Sequence, residues 1–250
     1  MAVNVDQVPA VRALLADAER DDNVRGVVLT GSAARRMRTK YSDVDVYLVV
    51  QDAGGAATTR TPVLDTIVVA LDELRSRPKP RDVEGWWSRY SFVDAQVLLD
   101  FTDGELPQLV AAWARLDDEE VSACLDAYLD GYINFAYRSL KADRDGAVLE
   151  RRVDAVESIS WLLWTYFGLA GRVRPYNKYL QHELATRPMT GVLAEVDLIT
   201  ELEHLMDDGN PAAQRRLFRA IEQASRQRGK AAIIDAWGHE LTLLQTPERR

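Results

Sequence analysis

Gly31-Ser32 and Asp43-Val44-Asp45, separated by ten residues, are the residue types in this chain whose spacing suits chemistry. An apolar run, Val27-Val28-Leu29, leads into the glycine, and a second, Val46 to Val50, follows the aspartates. On a strand, Asp43 and Asp45 at i and i+2 point to one face, with Cα atoms about 6.6 Å apart. Val44, Val46, Leu48 and Val50 take the opposite face, which alternation marks as buried. Two carboxylates on an open face can hold a pair of divalent ions about 3.5–4 Å apart. Magnesium suits such a site, because it is bound by a few carboxylates together with substrate phosphates. Gly31 permits a tight turn and close backbone approach. Ser32 stands where a short helix is expected to begin, so its hydroxyl and the amides behind it can meet phosphate oxygens. Arg35 and Arg36, one turn in, add positive charge. The layout suits moving a phosphate-bearing group with metal ions.

The order strand, Gly-Ser, helix, strand with Asp-x-Asp resembles the nucleotidyltransferase superfamily, which includes DNA polymerase beta and the small antibiotic-modifying nucleotidyltransferases. Gly31, Ser32, Asp43 and Asp45 match its motif, and the resemblance covers residues 24–102. It implies two Mg2+ ions held by Asp43 and Asp45, with Gly31, Ser32 and Arg35 against the β- and γ-phosphates. It also implies a third carboxylate on a neighbouring strand, which binds metal or acts as general base on an acceptor hydroxyl. Asp94, in Val93-Asp94-Ala95-Gln96-Val97, is the first candidate, because Val93, Ala95, Val97 and Leu99 share one face and Asp94 the other. Asp100 and Asp65 stand as alternatives.

A length of 250 residues fits one large domain or two ordinary ones. With 47% hydrophobic and 28% charged residues, the composition is that of a globular protein. No apolar run approaches the ~18 residues of a membrane span, and the first residues lack the pattern of a signal peptide. A cytoplasmic location is the expectation. The single cysteine, Cys124, excludes an internal disulfide and falls in an apolar helical stripe. His182, His204 and His239 show no metal-ligand spacing. A formal net charge of −8 argues against extended nucleic-acid binding, which needs a basic face, and is compatible with a cationic acceptor.

Periodicity predicts a helix over 6–22 and strands over 26–30, 43–50, 63–71 and 90–100. Residues 51–59 and the basic, proline-containing segment 75–81 read as loops. From residue 117 the period changes from 2 to 3.6, with Val121, Cys124, Leu125, Tyr128 and Leu129 on one stripe. Val153, Val156, Ile159, Leu163 and Phe167 repeat the pattern, and further helices are expected over 191–207, 211–229 and 231–244. Trp161, Trp164 and Tyr166 read as core. The fold class is therefore α+β: a mixed sheet with helices over 1–112, then an α-helical bundle over 113–250.

That layout resembles the aminoglycoside nucleotidyltransferases, in which a helical domain closes the active-site cleft. By that resemblance Lys178, in Arg172-Val173-Arg174-Pro175-Tyr176-Asn177-Lys178, is a candidate for the triphosphate. Tyr137, Arg138 and Lys141 form a second basic group. The expected activity is transfer of a nucleoside monophosphate, AMP from ATP first, to a hydroxyl of a small molecule such as an aminoglycoside-like antibiotic. A protein adenylyltransferase of antitoxin type and a non-catalytic nucleotide- or partner-binding module are the alternatives.

Overall fold

Two alternating patterns, one on each face, build the N-terminal sheet. The computed structural model describes residues 8–54, 57–76 and 87–246. Most of the basic segment 75–81, Trp86 and the first seven residues lie outside them. The chain divides into two compact units, Met1–Arg115 and Leu116–Arg250.

In the first unit, helix α1 (Pro9–Ala18) precedes strand β1 (Val24–Thr30), the single turn α2 (Gly31–Ala34) and strand β2 (Val44–Val50). Strands β3 (Thr59–Arg60) and β4 (Leu64–Ala70), helix α3 (Leu71–Arg75), strand β5 (Gln96–Asp100) and helix α4 (Glu105–Trp113) follow. The sheet order is β3-β4-β2-β1-β5. It is mixed: β2 and β4 are parallel, and the other pairs antiparallel.

Val27, Leu29, Val44, Val46 and Val50 pack with Val11, Ala33 and Ala34 on one face. Val28, Val49, Val69, Phe92, Leu106 and Trp113 form a second core on the other, with Tyr47 against it. On β2 the face that carries Asp45 is thus covered from Tyr47 onward, and Asp45 itself is half-buried. Each fully buried valine contributes about 1.5–3 kcal/mol through lost apolar exposure.

The fourth strand is shorter than its alternation predicts. Tyr90–Phe92 is a 3-10 turn, Asp94 has φ 62°, and pairing begins only at Gln96. Strand β5 pairs with the far side of β1, so it does not neighbour β2.

The second unit is helical: α5 (Asp118–Arg144), α6 (Val148–Leu169), α7 (Leu180–Thr186), α8 (Leu198–Asp208), α9 (Pro211–Gln227), α10 (Ala231–Asp235) and α11 (Leu241–Gln245). Helix α5 starts with a capping box between Asp117 and Glu120, worth about 1 kcal/mol. Helices α5 and α6 pack closely because Gly131 carries no side chain: a β-carbon there would lie 2.3 Å from the Trp161 ring.

Val153 and Val156, expected on the packed stripe of α6, are exposed. The first turns of α6 instead bury Asp154, ion-paired with Arg138 at 3.1 Å, together with Ala155 and Ser158. Trp164 and Tyr166 are core residues. Cys124 is buried too, and burial pushes its thiol up to about 12. Residues 191–195 form a 3-10 turn rather than the start of α8, and 231–244 is broken by a second such turn at Gly238–Glu240. Among the described residues no helix is long and apolar enough to cross a membrane.

Candidate carboxylate site at one end of the sheet

Three carboxylates meet where β1 ends and β2 and β4 begin. Asp43 immediately precedes β2, Asp45 is its second residue, and Asp65 is the second residue of β4. In the parallel pairing Asp45 is the register partner of Asp65, so their side chains share a face. One carboxylate oxygen from each of Asp43, Asp45 and Asp65 lies within 4.8 Å of the others, and all three residues are half-buried.

Across β1 the row continues to Thr30, partner of Asp45, and across β4 to Arg60, partner of Asp65. A single cross-strand ladder therefore reads Arg60, Asp65, Asp45, Thr30. The Arg60 Nε lies 3.8 Å from Asp65 Oδ2, with the arginine 79% exposed and the aspartate 19%.

Gly31 closes the site on the β1 side. Its φ is 64°, and a β-carbon there would lie 2.0 Å from Asp45 Oδ2. Both facts require glycine: the left-handed conformation disfavours a side chain, and the carboxylate occupies the space. Tyr47, next on the same face, hydrogen-bonds Ser91 Oγ at 3.2 Å. Burial, with a further contribution from the Asp45 charge, pushes its phenol up, against the Ser91 hydrogen bond.

This donor set fits hard divalent cations. Three oxygen ligands at one sheet end, with a backbone turn held close beside them, suit Mg2+ or Mn2+. Clustered carboxylates repel one another, and a cation removes that repulsion.

Asp94 and Asp100 are outside this cluster. Asp94 is not on a strand beside β2. It occupies a left-handed turn before β5, with Oδ2 3.7 Å from Arg35 Nε. It is not a member of the carboxylate cluster. Asp100 caps a turn: it accepts from Thr102 N at 2.9 Å, Thr102 Oγ1 at 2.6 Å and Gly104 N at 3.0 Å.

The motif places Arg35 against phosphates, but its side chain is fully buried. It donates to the carbonyls of Gly31 (2.9 Å), Tyr90 (2.7 Å) and Val93 (2.6 Å), and its guanidinium packs on the Tyr90 ring. It ties the Gly31 turn to the 90–94 turn. Ser32 lies within α2, whose one turn starts at Gly31, so no extended helix dipole backs it. Lys178 belongs to the helical unit and is exposed, in the turn Asn177–Tyr179, with Nζ 4.9 Å from the ring centre of the buried Tyr179. Arg138, in the second basic group, is engaged by Asp154.

Sequence reasoning singled out neither Arg60 nor its relation to Asp65. A two-residue strand carries no period, and only the register reveals the pairing.

No family model matches the chain, and no curated protein matches it. Among solved structures it is similar to a nucleotidyltransferase-like protein from Exiguobacterium sibiricum 255-15. The TM-score is 0.44 at 10% identity, over 97% of this chain and 87% of that one. A likeness of that size is too weak to assign a chemistry.

Proposed function

We propose that this protein is a magnesium-dependent nucleotidyltransferase, transferring a nucleoside monophosphate, AMP from ATP first, to a hydroxyl of a small molecule. The observation that carries the reading is the meeting of Asp43, Asp45 and Asp65 at one sheet end beside the Gly31 turn.

Divalent ions bound there would neutralise the phosphates and stabilise the pyrophosphate leaving group. Asp43 and Asp45 would supply ligand oxygens from the start of β2, and Asp65 the third from its parallel neighbour. Gly31 lets the chain approach the phosphates closely. Asp65 is also the better choice for the acceptor side: its carboxylate would accept the proton of the incoming hydroxyl as that oxygen bonds to the α-phosphorus. General-base help of this kind is worth about 10²–10⁴-fold. The net charge of −8 favours a cationic, hydroxyl-bearing acceptor of aminoglycoside type.

The test is calorimetric titration with a non-hydrolysable ATP analogue, with and without Mg2+, followed by α-labelled ATP and a panel of hydroxyl acceptors. Metal-dependent analogue binding, and label transfer lost in Asp43→Asn, are the expected results. Analogue binding indifferent to metal would overturn the reading and favour a binding module.

A further inference from the structure

We infer that Arg60 is an exchangeable counter-ion for the carboxylate site. It pairs with Asp65 while the carboxylates lack a cation, and turns to phosphate oxygens when a metal–nucleotide arrives. The inference rests on the nucleotidyltransferase reading and adds to it a residue that couples metal binding to nucleotide binding.

Position comes first. Register places Arg60 directly across from Asp65, on the face that carries Asp45, so the guanidinium flanks the cluster on the side opposite the Gly31 turn. Reach comes next. Arg60 sits on the edge strand and is 79% exposed, so its long side chain can turn without disturbing a core.

Strength decides the direction of exchange. At 3.8 Å, with one partner in solvent, the pair with Asp65 is a weak one. A guanidinium on phosphate forms charge-assisted, commonly bidentate hydrogen bonds, which are stronger. A cation on Asp65 also takes the charge that held Arg60, so metal arrival releases the arginine as phosphate oxygens come within reach. Arg35, three residues after Ser32, cannot serve, because it is held by three backbone carbonyls.

The experiment uses Arg60→Met, which keeps the aliphatic stem, and Arg60→Lys, which keeps the charge. Mn2+ alone is titrated by electron paramagnetic resonance. A non-hydrolysable ATP analogue with Mg2+ is titrated by calorimetry.

Arg60→Met should bind Mn2+ alone about two- to fivefold tighter, the size an exposed charge pair supports. It should bind the metal–analogue about tenfold or more weaker, the loss expected for hydrogen bonds to a charged group. Arg60→Lys should keep the wild-type Mn2+ affinity and lose less for the analogue. An Arg60→Met protein unchanged in either titration, while the wild type binds both probes, overturns the role of Arg60 alone. A wild type that binds neither probe overturns the nucleotidyltransferase reading and this inference with it.

Discussion

Gly31 and Asp45 occupy complementary space: a β-carbon on the glycine would lie 2.0 Å from the aspartate's Oδ2. The turn and the carboxylate are therefore positioned by one contact. In Gly31→Ala the carboxylate must move, and the left-handed backbone adds strain of about 1–2 kcal/mol. The expected outcome is a folded protein with a lower melting temperature and lost Mn2+ affinity. Gly104→Ala, also at positive φ but with nothing within 4 Å, isolates the strain and should melt lower with normal Mn2+ binding. Equal Mn2+ affinity in both variants and wild type would show that the contact does not set the site.

Asp65 and Asp94 separate cleanly by experiment. Asp65→Asn removes one ligand of the cluster, so Mn2+ affinity should fall by about tenfold or more, as hydrogen-bonding and charge at a shared ligand set are lost. Relief of carboxylate repulsion should leave its stability equal or higher. Asp94→Asn should bind Mn2+ as the wild type does and lose about 0.5–1 kcal/mol, since its pair with Arg35 is partly exposed. The reverse pattern would restore Asp94 as the third carboxylate.

The chain announces its motif through local signals. Gly31, Asp43 and Asp45 are close in sequence; a continuous apolar run leads to the glycine, and the aspartates alternate with Val44 and Val46. The change of period near residue 117 announces the helices. The third carboxylate was less legible because it depends on strand order. Asp94 lies in an alternating run, yet the Tyr90–Phe92 turn and the left-handed Asp94 break that alternation. Moreover, β5 adds to the far side of β1. Arg60 was illegible, since two paired residues have no pattern. Val153 and Val156 misled because the first turns of α6 bury a polar group, Asp154 with Arg138, in place of the apolar stripe.

Arg35 is a structural cation, and its substitution distinguishes that role from phosphate binding. Arg35→Met leaves the carbonyls of Gly31, Tyr90 and Val93 without their donor. Hydrogen bonds from a charged group contribute about 1.5–3 kcal/mol each and are not additive, so a loss of about 3 kcal/mol or more is expected. Urea denaturation measures it. An unchanged midpoint with weakened nucleotide binding would instead return Arg35 to the phosphates.

Glu183 makes the helical unit acid-sensitive. The residue is 2% exposed. Burial alone pushes its carboxyl up, but hydrogen bonds from Arg187 and Arg172 more than offset this and hold it below 4.5. Unfolding restores the ordinary value, so below about that pH the unfolded chain binds a proton that the folded chain does not. The stabilisation is therefore full above pH 4.5 and is lost as pH falls through the lower, folded value. Glu183→Gln removes the charge from between two arginines and should cost about 3 kcal/mol at pH 7. The gap from wild type should close in acid. Urea midpoints read by far-ultraviolet circular dichroism between pH 7 and 3 test this; a gap of constant size across that range would rule out Glu183 as the titrating group.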